Sequence, residues 1–248
     1  MALPADLVRA LDAVAATARL LVASDFDGTL APLVDRPADA RPLPQAAEAL
    51  IAIADLPSTE VALVSGRALA VLREYSGMPS SVHLVGSHGA EFETGFALEI
   101  DETLLATITT ELDSIAAGRP GVTVELKPAS VALHVRNASV ADGEAALDAA
   151  RSVGEASGAE ITAGKNVLEF AVISTDKGEA VDVFRRRGDA TAAVFFGDDV
   201  TDEKAFRRMV GSDVGVKVGP GETLAAYRVD SPEDVAEALS HLLERRRG

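Results

Sequence analysis

The strongest constraint on the fold of this chain is a recurring unit: a short apolar run that halts abruptly at a small or acidic residue. Residues 20–23 (Leu-Leu-Val-Ala) stop at Ser24 and Asp25, residues 61–64 (Val-Ala-Leu-Val) at Ser65, and residues 192–196 (Ala-Ala-Val-Phe-Phe) at Gly197. Residues 82–85 and 213–218 repeat the pattern less purely. Runs this short without polar alternation belong to strands buried on both faces, and helical segments such as 45–54 lie between them. This is the alternation of a parallel α/β sheet. A helix is expected over 5–19, where Leu7, Leu11, Val14 and Ala18 recur at helical spacing, and another over 232–243, after Ser231 as N-cap and with Pro232 in its first turn.

Between 101 and 172 the rhythm changes. Helix (103–116), strand (122–126), strand (131–136), helix (141–156), strand (159–162) and strand (167–172) follow in order, a helix and two adjacent strands given twice. Such an αββαββ series makes a small sheet with helices on one face. It is expected as a separate α+β lobe at 101–172, inserted into a parent domain formed by 1–100 and 173–248 that resumes near Ser174.

Composition narrows the partners. With 23 Lys and Arg against 39 Asp and Glu, the net charge of −16 opposes binding to nucleic acid or an anionic membrane through a general basic surface. No stretch approaches the roughly 20 uncharged apolar residues of a membrane span, and Asp6, Arg9, Asp12 and Arg19 interrupt any signal-peptide core. A cytoplasmic protein is expected. The absence of cysteine removes disulfides, thiolate zinc sites and a thiol nucleophile. An anionic ligand would need local cations or a metal to hold it.

Four polar segments stand at or near the ends of apolar runs. Asp25-Phe26-Asp27-Gly28-Thr29 places two carboxylates one residue apart where α/β sheets bind ligands. A lone Asp-Gly pair also makes an ordinary turn, but two carboxylates at a buried strand end call for a metal or an opposite charge. Gly197-Asp198-Asp199-Val200-Thr201-Asp202-Glu203 adds a second acidic cluster, part of which can cap the following helix. Such oxygen-only sites suit Mg²⁺. Ser65-Gly66-Arg67 offers a hydroxyl, amides and a guanidinium at a helix entrance, an anion cradle. Lys177, within Thr175-Asp176-Lys177-Gly178, begins a helix whose dipole opposes its charge, so something else should require it there.

The order DxDGT, Ser-Gly-Arg, Asp-Lys-Gly, GDDxTDE resembles the four motifs of haloacid dehalogenase phosphatases. The resemblance implies a Rossmann-like parallel-sheet core with an inserted α+β cap. It further implies Asp25 as nucleophile, Asp27 as general acid and base, Thr29, Ser65, Gly66, Arg67 and Lys177 about the phosphate, and Mg²⁺ held by Asp25, Asp198 and Asp27, the last through its carbonyl.

Further segments narrow the likeness to trehalose-6-phosphate phosphatases. Gly86-Ser87-His88-Gly89-Ala90-Glu91 resembles that family's GxHGAE, and Glu125 and Lys127 with Ser130, His134 and Arg136 its ExK…S…HxR strands. Residues 164–169 resemble GKxxxE and residues 215–219 GVKVG. Phe26 and Val135 depart from it, standing where Tyr is frequent. The resemblance implies His88, Glu125, Lys127 and Glu169 as substrate-binding residues, trehalose 6-phosphate as substrate, and a functional pairing with a trehalose-phosphate synthase. Sucrose phosphate or mannosyl-phosphoglycerate is the alternative sugar phosphate, and alternating charges on a strand are also common on a solvated sheet face. A catalytically silent sugar-phosphate-binding module is a third reading.

Overall fold

A computed structural model describes residues 3–173 and 176–248. Its contacts divide the chain into two compact units, Met1–Glu93 with Asp176–Gly248, and Thr94–Thr175. The division precedes the expected 100/101 boundary because the chain is tied to the first unit as far as Glu93. Glu91 bonds Leu69 and Ser87, and Glu93 bonds Arg73. Ser174 and Thr175 of the sequence reading lie outside the described residues.

In the first unit the elements run α1 (Ala5–Ala15), β1 (Leu20–Ser24), α2 (Pro44–Ala54), β2 (Thr59–Val64), α3 (Leu69–Ser76), β3 (His83–Val85) and β4 (Glu91–Phe92). After β5 (Gly95–Phe96) and the second unit's helices α4 (Glu102–Ala116) and α5 (Val140–Ser157), the first unit continues with α6 (Lys177–Arg187), β10 (Ala192–Gly197), α7 (Glu203–Phe206), β11 (Val214–Val218), β12 (Tyr227–Val229) and α8 (Pro232–Arg247). Six parallel strands lie in the order β12-β11-β10-β1-β2-β3. Consecutive residues of β1 face opposite cores. Leu20 and Val22 pack with α1, α2 and α8, whereas Leu21 and Ala23 pack with Val181, Phe184 and Phe206 from α6 and α7. Double burial is why these strands read as unbroken apolar runs, and each fully buried large side chain contributes about 1.5–3 kcal/mol. The chain leaves β1 for β2 on one side and later returns to β10 on the other. That change of direction opens a crevice at the strands' carboxyl ends.

α1 stops at Ala15, short of the expected 19, because Thr17 turns back onto the Val14 carbonyl through both its amide and its hydroxyl. α8 runs past the expected 243 to Arg247, whose neighbour Arg246 donates to the carbonyls of Ala15, Thr17 and Ser58 and to the Thr59 hydroxyl.

The second unit carries β6 (Thr123–Leu126), β7 (Ser130–His134), β8 (Glu160–Gly164) and β9 (Val167–Ala171) as an antiparallel sheet in the order β6-β7-β9-β8. Val131, Leu133, Leu168 and Phe170 face α4 and α5, where Ile108, Leu112, Ala146 and Ala150 complete the core. The alternate residues face away from the helices. Glu125, Ala132, Glu169 and Thr162 stand in one row across all four strands.

Candidate active site

β1 ends at Ser24, and the Asp25 amide extends its ladder to the Phe196 carbonyl at 2.9 Å. This sets Asp25 at the crevice, beside the end of β10. Gly28 turns with φ 77°, and a Cβ there would lie 2.1 Å from Asp198 Oδ2, so only glycine permits both the turn and the approach. The Thr29 hydroxyl donates to Asp198 Oδ1 at 3.3 Å. Among the expected phosphate-binding residues, Thr29 therefore faces the acidic cluster.

Lys177 explains its position against the helix dipole. Its ammonium, 2% exposed, lies 2.9 Å from Asp25 Oδ1 and 2.8 Å from Asp202 Oδ1. Asp176 caps α6 beside it by accepting from the Gly178 and Glu179 amides. Burial works against the Lys177 charge, yet Asp202 and Asp25 outweigh it and hold its pKa above that of an ordinary lysine. Asp25 is driven well above the usual carboxylate range by burial, with Asp202 and Asp198 adding repulsion and Lys177 opposing it. Asp198 is pushed up to about 6, first by burial and then by Asp202. One ammonium does not balance these carboxylates.

Asp25, Asp198 and Asp202 each offer a carboxylate oxygen within 4.8 Å of the others, a cluster able to hold a metal ion. Asp202 Oδ1 is committed to Lys177 and Oδ2 to the amides of Asp198 and Asp199, at 3.0 and 2.9 Å. Asp25 and Asp198 are left as the oxygen donors. Uncompensated charge on a buried, oxygen-only pair fits a hard divalent cation. Lys217 donates to the Asp198 carbonyl and so ties this loop to β11.

The Asp27 carboxylate does not join this cluster. Arg67 grips it bidentately, at 2.7 and 2.6 Å, and the guanidinium lies over the rings of Phe26 and Tyr75 at 5.5 and 5.1 Å. Arg67 thus faces the second motif-one aspartate, not open space for an anion. Nor is the α3 N-terminus open, because Glu91 Oε2 accepts from the Leu69 amide. Of the expected cradle, Ser65, which is buried, and Gly66 remain. His88 packs its ring where a Gly66 side chain would begin, 2.4 Å from a Cβ there.

In the second unit Glu125, Lys127 and Glu169 share the polar face of the sheet. Lys127 Nζ bonds Glu169 Oε2 at 2.7 Å, the Ser130 hydroxyl bonds Glu169 Oε1 at 2.6 Å, and His134 Nε2 lies 2.9 Å from Glu125 Oε2. The bond to His134 lowers the Glu125 pKa despite partial burial.

Sequence reasoning gave Asp202 only a helix-capping part and missed Glu91 as an organiser. The signal for Asp202 was present in its spacing three residues after Asp199, which the structure realises as reciprocal capping. Asp199, by contrast, is exposed and bonds the Val200 amide.

The sequence family described as trehalose-phosphatase matches residues 23–233. A trehalose-phosphate phosphatase of Mycobacterium leprae is 33% identical over 243 residues, covering 88% of this chain and 56% of that protein. The chain thus spans little more than half of that curated relative. The C-terminal domain of a Candida albicans trehalose-6-phosphate phosphatase superimposes with a TM-score of 0.83 over 98% of both chains at 22% identity. A haloacid dehalogenase-like hydrolase from Bacteroides thetaiotaomicron gives 0.68 over 90% of this chain and 99% of its own, at 14% identity. The structural likenesses establish the fold.

Proposed function

Because the chain belongs to the trehalose-phosphatase family, we propose that it hydrolyses trehalose 6-phosphate to trehalose and phosphate through an aspartyl-phosphate on Asp25. The observation that carries this is the buried Lys177 ammonium set between Asp25 and Asp202 at the crevice. A lysine fully removed from water beside a carboxylate that retains one uncommitted oxygen is suited to phosphoryl transfer. Bound Mg²⁺, held by Asp25, Asp198 and the Asp27 carbonyl, would supply neutralising charge for the transferring oxygens.

In the first step an Asp25 oxygen forms a bond to phosphorus while the bond from phosphorus to the sugar oxygen breaks. Asp27 gives that oxygen its proton. Water then attacks phosphorus, Asp27 takes a proton from the water, and Asp25 is released with inorganic phosphate. Both Asp27 oxygens accept from Arg67 in this structure. Proton delivery therefore requires the guanidinium to release at least one of them. Lys177, the Ser65 hydroxyl and the Gly66 amide hold the phosphoryl oxygens, and Glu125, Lys127 and Glu169 bond the sugar hydroxyls.

Phosphate release from a panel of sugar phosphates, with and without magnesium, tests the proposal. Trehalose 6-phosphate should be the best substrate, EDTA should silence it, and Asp25→Asn should leave a folded, inactive protein. Preference for sucrose phosphate or mannosyl-phosphoglycerate would overturn the substrate, and an active D25N variant the nucleophile.

A further inference from the structure

Ser87 and His88 are consecutive non-glycine residues with left-handed backbone, φ 50° and 55°, followed by Gly89 at 101°. L side chains disfavour this region, so such a pair persists only where its surroundings impose it. The surroundings are the turn expected to hold phosphate. The Ser87 amide donates to the Arg67 carbonyl at 2.8 Å and the His88 amide to the Ser65 carbonyl at 2.9 Å. The carbonyls of Ser65 and Arg67 are thereby both engaged, and no described residue accepts from the Gly66 amide between them.

Glu91 ties this arrangement together. One of its oxygens, Oε2, accepts from the Leu69 amide at 2.7 Å and from the Ser87 hydroxyl at 3.1 Å. Its carbonyl accepts from the Gly86 amide at 2.8 Å. Leu69 opens α3, whose N-cap position, Ala68, has no side chain able to cap. Glu91 supplies that missing cap from 22 residues away. A single carboxylate oxygen joins the exit of the turn to the left-handed segment behind it. Gly86 completes the junction, since a Cβ there would lie 2.4 Å from the Leu69 amide nitrogen and 2.9 Å from Glu91 Oε2.

We infer that Glu91 is a positioning residue for phosphoryl transfer: through Ser87 and Leu69 it holds the Ser65–Arg67 turn so that the Ser65 hydroxyl stays on the phosphoryl group. The inference rests on the phosphatase reading above. Glu91 itself touches no substrate atom and acts through Ser65.

A double-mutant cycle on trehalose 6-phosphate turnover tests it, with Glu91→Ala, Ser65→Ala, the pair, and Glu91→Gln. Small misplacements of a reacting group cost up to about a hundredfold, so E91A should lower kcat about thirtyfold. In the S65A background the same change should cost less than about fivefold, because the hydroxyl it positions is gone. E91Q keeps an oxygen that can accept from both Leu69 and Ser87, and should stay within about threefold of wild type. Should E91A fail to fold, Glu91→Asp takes its place in the cycle, since it is one methylene too short to reach both partners. Multiplicative losses in the double variant would overturn the inference, as would an E91A protein with wild-type kcat. An inactive wild-type chain would remove the phosphatase reading and this inference with it, whereas multiplicative losses in an active enzyme would remove this inference alone.

Discussion

Replacing Arg67 with methionine separates two uses of its guanidinium. Methionine keeps an apolar stem against Phe26 and Tyr75 but removes the donors at 2.7 and 2.6 Å from Asp27. The Asp27 side chain is 35% exposed and can take up water in their place. The stability loss is therefore about 1–2 kcal/mol, below the roughly 3–5 kcal/mol of a fully buried broken pair. Activity depends on the leaving group. A sugar alkoxide needs a proton, and Asp27 delivers it poorly from one oxygen when Arg67 no longer holds the other in place, so kcat/KM for trehalose 6-phosphate should fall about 10–100-fold, or about 1.4–2.7 kcal/mol. A nitrophenyl phosphate releases nitrophenolate, a stable anion that needs no proton, and its hydrolysis should lose less than about threefold. The comparison uses kcat/KM because it reports the steps up to phosphoenzyme formation. Equal falls on both esters would show that Arg67 grips the phosphoryl group itself, and the geometric argument for Asp27 would fail.

Two further outcomes follow from the site and the sheet face. Asp198 has a folded pKa of about 6 against an ordinary 3.8, so its contribution favours folding fully below about pH 4 and is lost as pH rises through 6, about 3 kcal/mol in all. Magnesium should accordingly raise the thermal midpoint more near pH 7.5 than near pH 5, and equal increments would refute the assignment of the cation to this cluster. Alanine at Glu125, Lys127 or Glu169 should lower kcat/KM for trehalose 6-phosphate by about tenfold or more and leave a nitrophenyl phosphate nearly unaffected, with E169A the most severe because it strands both Lys127 and Ser130. Equal losses on both substrates would mean that these residues act through folding.

The order of elements was legible because its causes are local. Strands buried on both faces must be apolar throughout, so β1, β2 and β10 announced themselves by composition and ended where the first polar residue appeared. The first residues of α8 were equally plain from Ser231 and Pro232. β12 passed unnoticed, since three residues at a sheet edge show neither a period nor a run. Strand ends in turn told which acidic segments would share a crevice, because parallel strands place their carboxyl ends on one side.

What each functional group touches within that crevice was decided only by the tertiary structure. The sequence offered the Arg67 guanidinium to an anion and the Asp27 carboxyl to proton transfer, and the fold paired these two side chains with each other across 40 residues. It offered Asp202 as a helix cap, and the fold also gave it the Lys177 ammonium 25 positions away. Glu91 carried no chemistry until α3 was found to begin without a cap of its own. Burial of an apolar run depends on its own composition, so a sequence can declare it. The partner of a charged side chain depends on which other charges arrive at the same few ångströms, and that is fixed only when the distant strands are laid side by side.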